Sequence, residues 1–263
     1  TGAGSTGSPV PPPGSPYWAF YDRVAAAQLA AWLPDEPCRV LDLSGGCPRP
    51  EGDLAAQVLA AGHDVVRLRR PDEAGTHLPP VPGTEPPLHA GGTELPLLAD
   101  PLDLSWLRDA AVDAVLAESR MLSTCLAAEV TVADVARVLR PGGRLLLVVE
   151  SLATGLARLA EQGRWAELAD VPSADVLLVP QDDGSIARCF WPEELEELLT
   201  TAGFAVDWVR PRSVLTPPVV ERALMEGGEA AMDLLVRTEC ALAEERQGES
   251  PGLHLVASAR RPG

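Results

Sequence analysis

The sequence predicts an α/β fold with a doubly wound, mostly parallel sheet, and three observations carry that expectation. Apolar runs of strand length alternate with helix-period segments along most of the chain. The first strand opens into a glycine-bearing turn, VLDLSGGCPRPEGD, followed by an alanine-rich helix and a second strand, the opening half of a right-handed βαβ unit. The run from Arg144 to Val149 is the most apolar in the chain, as a strand buried on both faces requires.

The elements follow in order. The first 16 residues, TGAGSTGSPVPPPGSP, hold little that can be buried and predict a flexible or polyproline-like tail, leaving one domain over 17–263. From Tyr17 to Leu33 apolar positions recur at steps of three and four, an amphipathic helix stopped by Pro34. Arg39 to Leu43 is a strand, Asp53 to Ala61 a helix closed by Gly62, and HDVVRLRR the second strand. Residues 71–92 are rich in Pro and Gly without periodicity and predict a long surface excursion. Strands follow at Glu94 to Ala99 and Val112 to Ala117, then a helix from Ala127 to Leu139 and a Pro141-Gly142-Gly143 turn into the apolar strand. A helix from Leu152 to Leu168, a hairpin around QDDG, and a helix from Pro192 to Ala202 with proline at its start come next. The strand FAVDWVR, a helix from Pro218 to Glu245 and a last strand from Leu253 to Ala259 complete seven strands beside the hairpin.

The formal charge of −17 disfavours nucleic acid and anionic lipid as partners, because the arginines are scattered and form no basic patch. No run approaches the roughly 18 apolar residues of a membrane span, and no signal-like segment opens the chain, so a cytoplasmic protein is expected. Five dispersed cysteines without a CxxC pair suggest neither a disulfide framework nor a metal site. Lysine is absent, and with the Ala, Gly and Pro richness this suggests GC-rich coding, as in an actinobacterium.

Three segments in this order carry a resemblance: VLDLSGG after an N-terminal helix, VDAVLAE about 70 residues on, and VLRPGGRLLLVV, with WPEELEELLTTAGFAVDWV late in the chain. Together they resemble the class I S-adenosylmethionine-dependent methyltransferases over roughly residues 17 to 261. The resemblance implies a Rossmann-like seven-stranded sheet of order 3-2-1-4-5-7-6 with strand 7 antiparallel and helices on both faces. It also implies S-adenosylmethionine as cofactor, at the carboxyl ends of strands 1 to 4, and a small-molecule acceptor, with secondary metabolism as a setting and a homo-oligomer as one assembly. The alternative it leaves open is a catalytically inactive relative serving as a partner subunit or binding another ligand.

Residue by residue, Asp42, Gly45 and Gly46 match the family's first motif, while Ser44 and Pro48 stand where glycines are usual. At the end of strand 2, where the family's carboxylate accepts from the ribose hydroxyls, this chain has Arg69, a pure donor. That arginine reads either as a solvated surface charge or as a phosphate contact. Asp100 and Leu102 match the adenine position, with an N-cap for the segment DLSWLRD as the other reading of Asp100. Glu118, just past strand 4, matches the position facing the sulfonium. Tyr17 and Tyr21, with Trp18 and Phe20, are either substrate-facing aromatics or core. No catalytic base is legible, since none of the four histidines shares a local motif with a cysteine or carboxylate.

Overall fold

The computed structural model describes residues 10–12, 14–44, 53–70, 92–118, 120–125, 127–181 and 184–263. The expected tail (apart from its last residues), most of the 71–92 excursion and the turn residues Gly45, Gly46 and Pro48 lie outside them.

The chain enters at helix α1 (Pro16–Trp32), where Ser15 caps the first turn by accepting from the Tyr17 amide and Pro16 fits the position that needs no N–H. Strand β1 (Arg39–Asp42), helix α2 (Leu54–Ala60) and strand β2 (Asp64–Arg69) form the predicted unit, and Asp53 caps α2 by accepting from the Ala55 and Ala56 amides. Strands β3 (Glu94–Leu98) and β4 (Val112–Ala117), helix α3 (Ala128–Val138) and strand β5 (Leu139–Ser151) follow. Strand β5 is longer than expected, running through the Pro-Gly-Gly segment to pair Leu139 with Val112. The single helix expected from Leu152 to Leu168 is two, α4 (Leu152–Glu161) and α5 (Trp165–Asp170), because Gly163 adopts φ +67° and ends the first.

The hairpin expected around QDDG forms from β6 (Leu177–Pro180) and β7 (Ile186–Phe190), antiparallel to each other. Helix α6 (Pro192–Thr201), strand β8 (Ala205–Arg212), the long helix α7 (Pro217–Glu245), interrupted at Gly228, and strand β9 (His254–Arg260) complete the order.

Setting the hairpin aside, the sheet runs β3-β2-β1-β4-β5-β9-β8, with β9 antiparallel to both neighbours, which is the predicted 3-2-1-4-5-7-6 arrangement. The hairpin attaches through β7 to the carboxyl end of β5. Alternation along β5 explains why its sequence has no polar face: Leu145, Leu147 and Val149 enter one core under α3 and α6, while Leu146 and Val148 enter the other under α1 and α2. The first half of α1 reaches past the sheet to α7, where Tyr17, Phe20, Tyr21 and Val24 pack with Val220, Met232 and Leu253.

Candidate functional site at the carboxyl ends of the strands

From β1 the chain order runs outward to β2 and β3 on one side and, through β4, to β5 on the other, so the crevice above β1 and β4 is the place where this architecture receives ligands. Asp42 ends β1 and is only 5% exposed. Its Oδ1 accepts the Ser44 amide at 2.9 Å, and its Oδ2 lies 3.5 Å from Arg67 Nε. Burial pushes the Asp42 carboxyl up, and the Ser44 hydrogen bonds and Arg67 pull it back. Ser44 also reaches across the crevice: its Oγ accepts the Glu118 amide at 3.1 Å, one step beyond the Leu43 amide donated to Leu116 at 2.8 Å. A serine at a glycine position therefore ties the ends of β1 and β4 together.

Arg67 stands opposite Asp42 in the β1–β2 register and also meets Asp53 and Glu94, so it is the cation of an acidic cluster. Arg69, two residues on, is half-buried, and its Nε is buried without a hydrogen-bond partner among the described residues. Its surroundings are thus not those of a freely solvated charge. Asp100 is exposed and accepts the Leu102 amide at 2.9 Å. The segment DLSWLRD forms turns and no helix, so Asp100 closes an Asx turn and is not the N-cap of a helix. Leu102 packs half-buried against the core beneath β3 and β4.

Glu118 is 1% exposed, and Arg212, 0% exposed at the end of β8, grips it with two hydrogen bonds of 2.7 and 2.8 Å. The guanidinium is held further by Gln28, which accepts from Nε at 2.6 Å, and lies over the Tyr21 ring, 5.4 Å from its centre. Burial lowers the Arg212 pKa, and Glu118 and Tyr21 together raise it by more, so the guanidinium keeps its charge. Tyr21 thus belongs to this buried network, and Tyr17, fully buried, donates its hydroxyl to the Leu215 carbonyl at 3.3 Å. Both tyrosines are packed between α1 and α7. Among the described residues, no group of three His, Cys, Asp or Glu side chains is placed to hold a metal ion, and no helix is long and apolar enough to cross a membrane.

No protein-family model matches the chain, and no curated protein does. Solved structures match over nearly its whole length. The 1,6-didemethyltoxoflavin-N1-methyltransferase of Burkholderia thailandensis, solved with 1,6-didemethyltoxoflavin and S-adenosylhomocysteine, is 22% identical over 92% of this chain and 79% of its own, with a TM-score of 0.52. A S-adenosylmethionine-dependent methyltransferase of Methanosarcina mazei is 20% identical over 89% of this chain and 97% of its own, at 0.53. A Haloferax volcanii protein solved in complex with the Trm112 methyltransferase activator is 16% identical over 95% of this chain and 99% of its own, at 0.52. The fold is that of the S-adenosylmethionine-dependent methyltransferases.

Within the methyltransferase fold the strand ends bring Asp42, Ser44 and Glu118 together, with Arg69, Asp100 and Leu102 at the ends of β2 and β3. Sequence reasoning missed Arg67, Arg212 and Gln28. Arg67 sits two residues before Arg69, and a strand's period of two puts both arginines on one face. Arg212 lies 94 positions from its partner carboxylate, a separation that no local pattern encodes.

Proposed function

We propose that the chain binds S-adenosylmethionine at the carboxyl ends of β1 to β4 and transfers its methyl group to a small-molecule acceptor. The observation that carries the reading is the strand-end set built around Asp42 on this fold. Asp42 shapes the turn after β1 by holding the Ser44 amide, Asp100 takes the adenine amino group, and Leu102 lines the ring. Arg69 fits the ribose in a changed polarity: hydroxyl oxygens accept as well as donate, and the buried Arg69 Nε is a donor without an acceptor among the described residues. Bound there, the cofactor supplies an electrophilic methyl on a sulfonium. The chain's own part is to orient the acceptor in line and keep water away, which accelerates such a transfer without a dedicated base.

Calorimetric titration with S-adenosylhomocysteine tests this. One-to-one binding in the micromolar range is expected, weakened about tenfold in Arg69→Ala by loss of a charge-assisted hydrogen bond. Absence of heat at millimolar ligand would overturn the reading.

The network around Glu118 favours a second reading, a protein that has kept the fold and lost the transfer. With its carboxylate engaged twice by Arg212, Glu118 offers no free negative charge to a sulfonium. Such a protein serves as a partner subunit or holds another ligand, and failure of the titration selects it.

A further inference from the structure

On the α1 face of the sheet, a cleft of about 680 Å³ opens between the carboxyl-terminal halves of α1 and α7 over β5, β9 and β8. It lies away from the candidate cofactor crevice. Its β5 residue, Arg144, is paired with Ala114 near the start of β4, and its β9 residue, Arg260, is paired with Arg144. The volume lies within the roughly 300–1,000 Å³ of small-molecule sites.

In a chain of net charge −17, the charge balance of this cleft is reversed. Four arginines line it, Arg144, Arg210, Arg237 and Arg260, against the two carboxylates Asp207 and Glu244. Each carboxylate is taken: Asp207 by Arg260 at 2.7 Å, Glu244 by Arg210 at 3.4 Å. Arg144 and Arg237 have no carboxylate partner among the described residues; Arg144 donates to the Trp32 carbonyl at 3.0 Å, and Arg237 is exposed.

The same walls carry aromatic surface. Trp32 and Trp208 both line the cleft, and the Arg210 guanidinium lies 4.5 Å from the Trp208 ring centre. Two buried N–H groups in these walls, Trp32 Nε1 and Arg210 Nε, have no acceptor among the described residues, an arrangement that costs free energy until an acceptor or water arrives. Every one of these uncommitted groups is a donor or a cation.

We infer that this cleft is a second ligand site, for an aromatic organic anion whose ring lies against the tryptophans and whose acid group meets Arg144 and Arg237. The site does not rest on the cofactor reading: Gln28 is shared with the network around Arg212, but the arginines and tryptophans that would hold the ligand stand apart from the crevice above β1 and β4.

The test titrates the full chain with 1-naphthoate, and with 1-naphthalenemethanol as the uncharged match, in the presence and absence of S-adenosylhomocysteine. Naphthoate binds one to one, the alcohol at least about tenfold more weakly, and saturating S-adenosylhomocysteine leaves the affinity unchanged. Arg237→Gln, on the exposed face of α7, folds normally and weakens naphthoate about tenfold, as does Arg144→Gln; a loss in only one variant still supports the site and identifies the guanidinium that holds the acid. Equal affinity for acid and alcohol, unchanged affinity in both variants, competition by S-adenosylhomocysteine, or no heat at millimolar naphthoate would each overturn the inference.

Discussion

At the scale of single residues, the pair Glu118 and Arg212 decides how the crevice is closed on the side of α1. Two buried charges hold each other at hydrogen-bond distance, and Gln28 satisfies a further guanidinium donor, so the desolvation cost is offset only while both partners stand. Arg212→Met leaves Glu118 buried without its counter-ion and is expected to lower stability by about 3–5 kcal/mol. Adding Glu118→Gln to that variant recovers at least half of the loss, since the uncompensated charge is then gone. Urea denaturation of the two variants checks this, and an additive double variant would contradict it. The local sequence reveals neither the pairing nor its strength: Glu118 reads as a strand-end acid and Arg212 as one of several arginines, and only the β8–β9–β5 pairing across the sheet brings them together. Asp42, by contrast, was legible, because its role depends on its own turn and the Ser44 amide two residues away.

At the scale of elements, legibility followed the range of the forces involved. Strands β1, β2, β4 and β9 and helices α1, α3 and α6 emerge from periodicity and local stop signals with bounds within one residue. The break between α4 and α5 did not, because the apolar period continues past Gly163 while the backbone leaves the helix there. The way α4 meets the β6–β7 hairpin is likewise a contact between distant segments. A Cβ on Gly155 would lie 2.6 Å from Leu177 Cδ2 and 2.9 Å from Cys189 Sγ, so the helix approaches the hairpin only because that side chain is missing. Gly155→Val is therefore expected to cost about 1–3 kcal/mol through overpacking. Amide exchange in Leu177–Pro180 and Ile186–Phe190 should accelerate more than in β1 and β4, which α4 does not cover. Uniform acceleration across the sheet would show that the hairpin is not a separable unit.

At the scale of the whole molecule, charge sets the pH at which the fold is most stable. With 38 acidic side chains against 21 basic ones, the native protein repels itself at neutral pH, and protonation toward its pI of about 4.6 relieves that repulsion. Two buried carboxyls act in the same direction: burial raises Asp42 and Glu239 above their ordinary values of 3.8 and 4.5. A raised carboxyl binds its proton more tightly in the folded state, so its contribution is fully present at low pH and fades as pH rises through the folded pKa. His63 acts in the opposite direction. Its Nδ1 accepts the Cys38 amide at 3.2 Å, and burial lowers its pKa from 6.5. The folded state therefore resists protonating it, and stability present above pH 6.5 is lost as pH falls through the depressed folded value. The net charge and these two carboxyls oppose one histidine, so the urea midpoint is expected to be highest at mildly acidic pH, about 5–6, and to decline toward pH 8. In His63→Gln the acid side of that profile flattens while the decline toward pH 8 remains, because the two sides have different origins. A midpoint that rises steadily from pH 5 to pH 8 in the unaltered protein would mean that neither self-repulsion nor the buried carboxyls govern its stability.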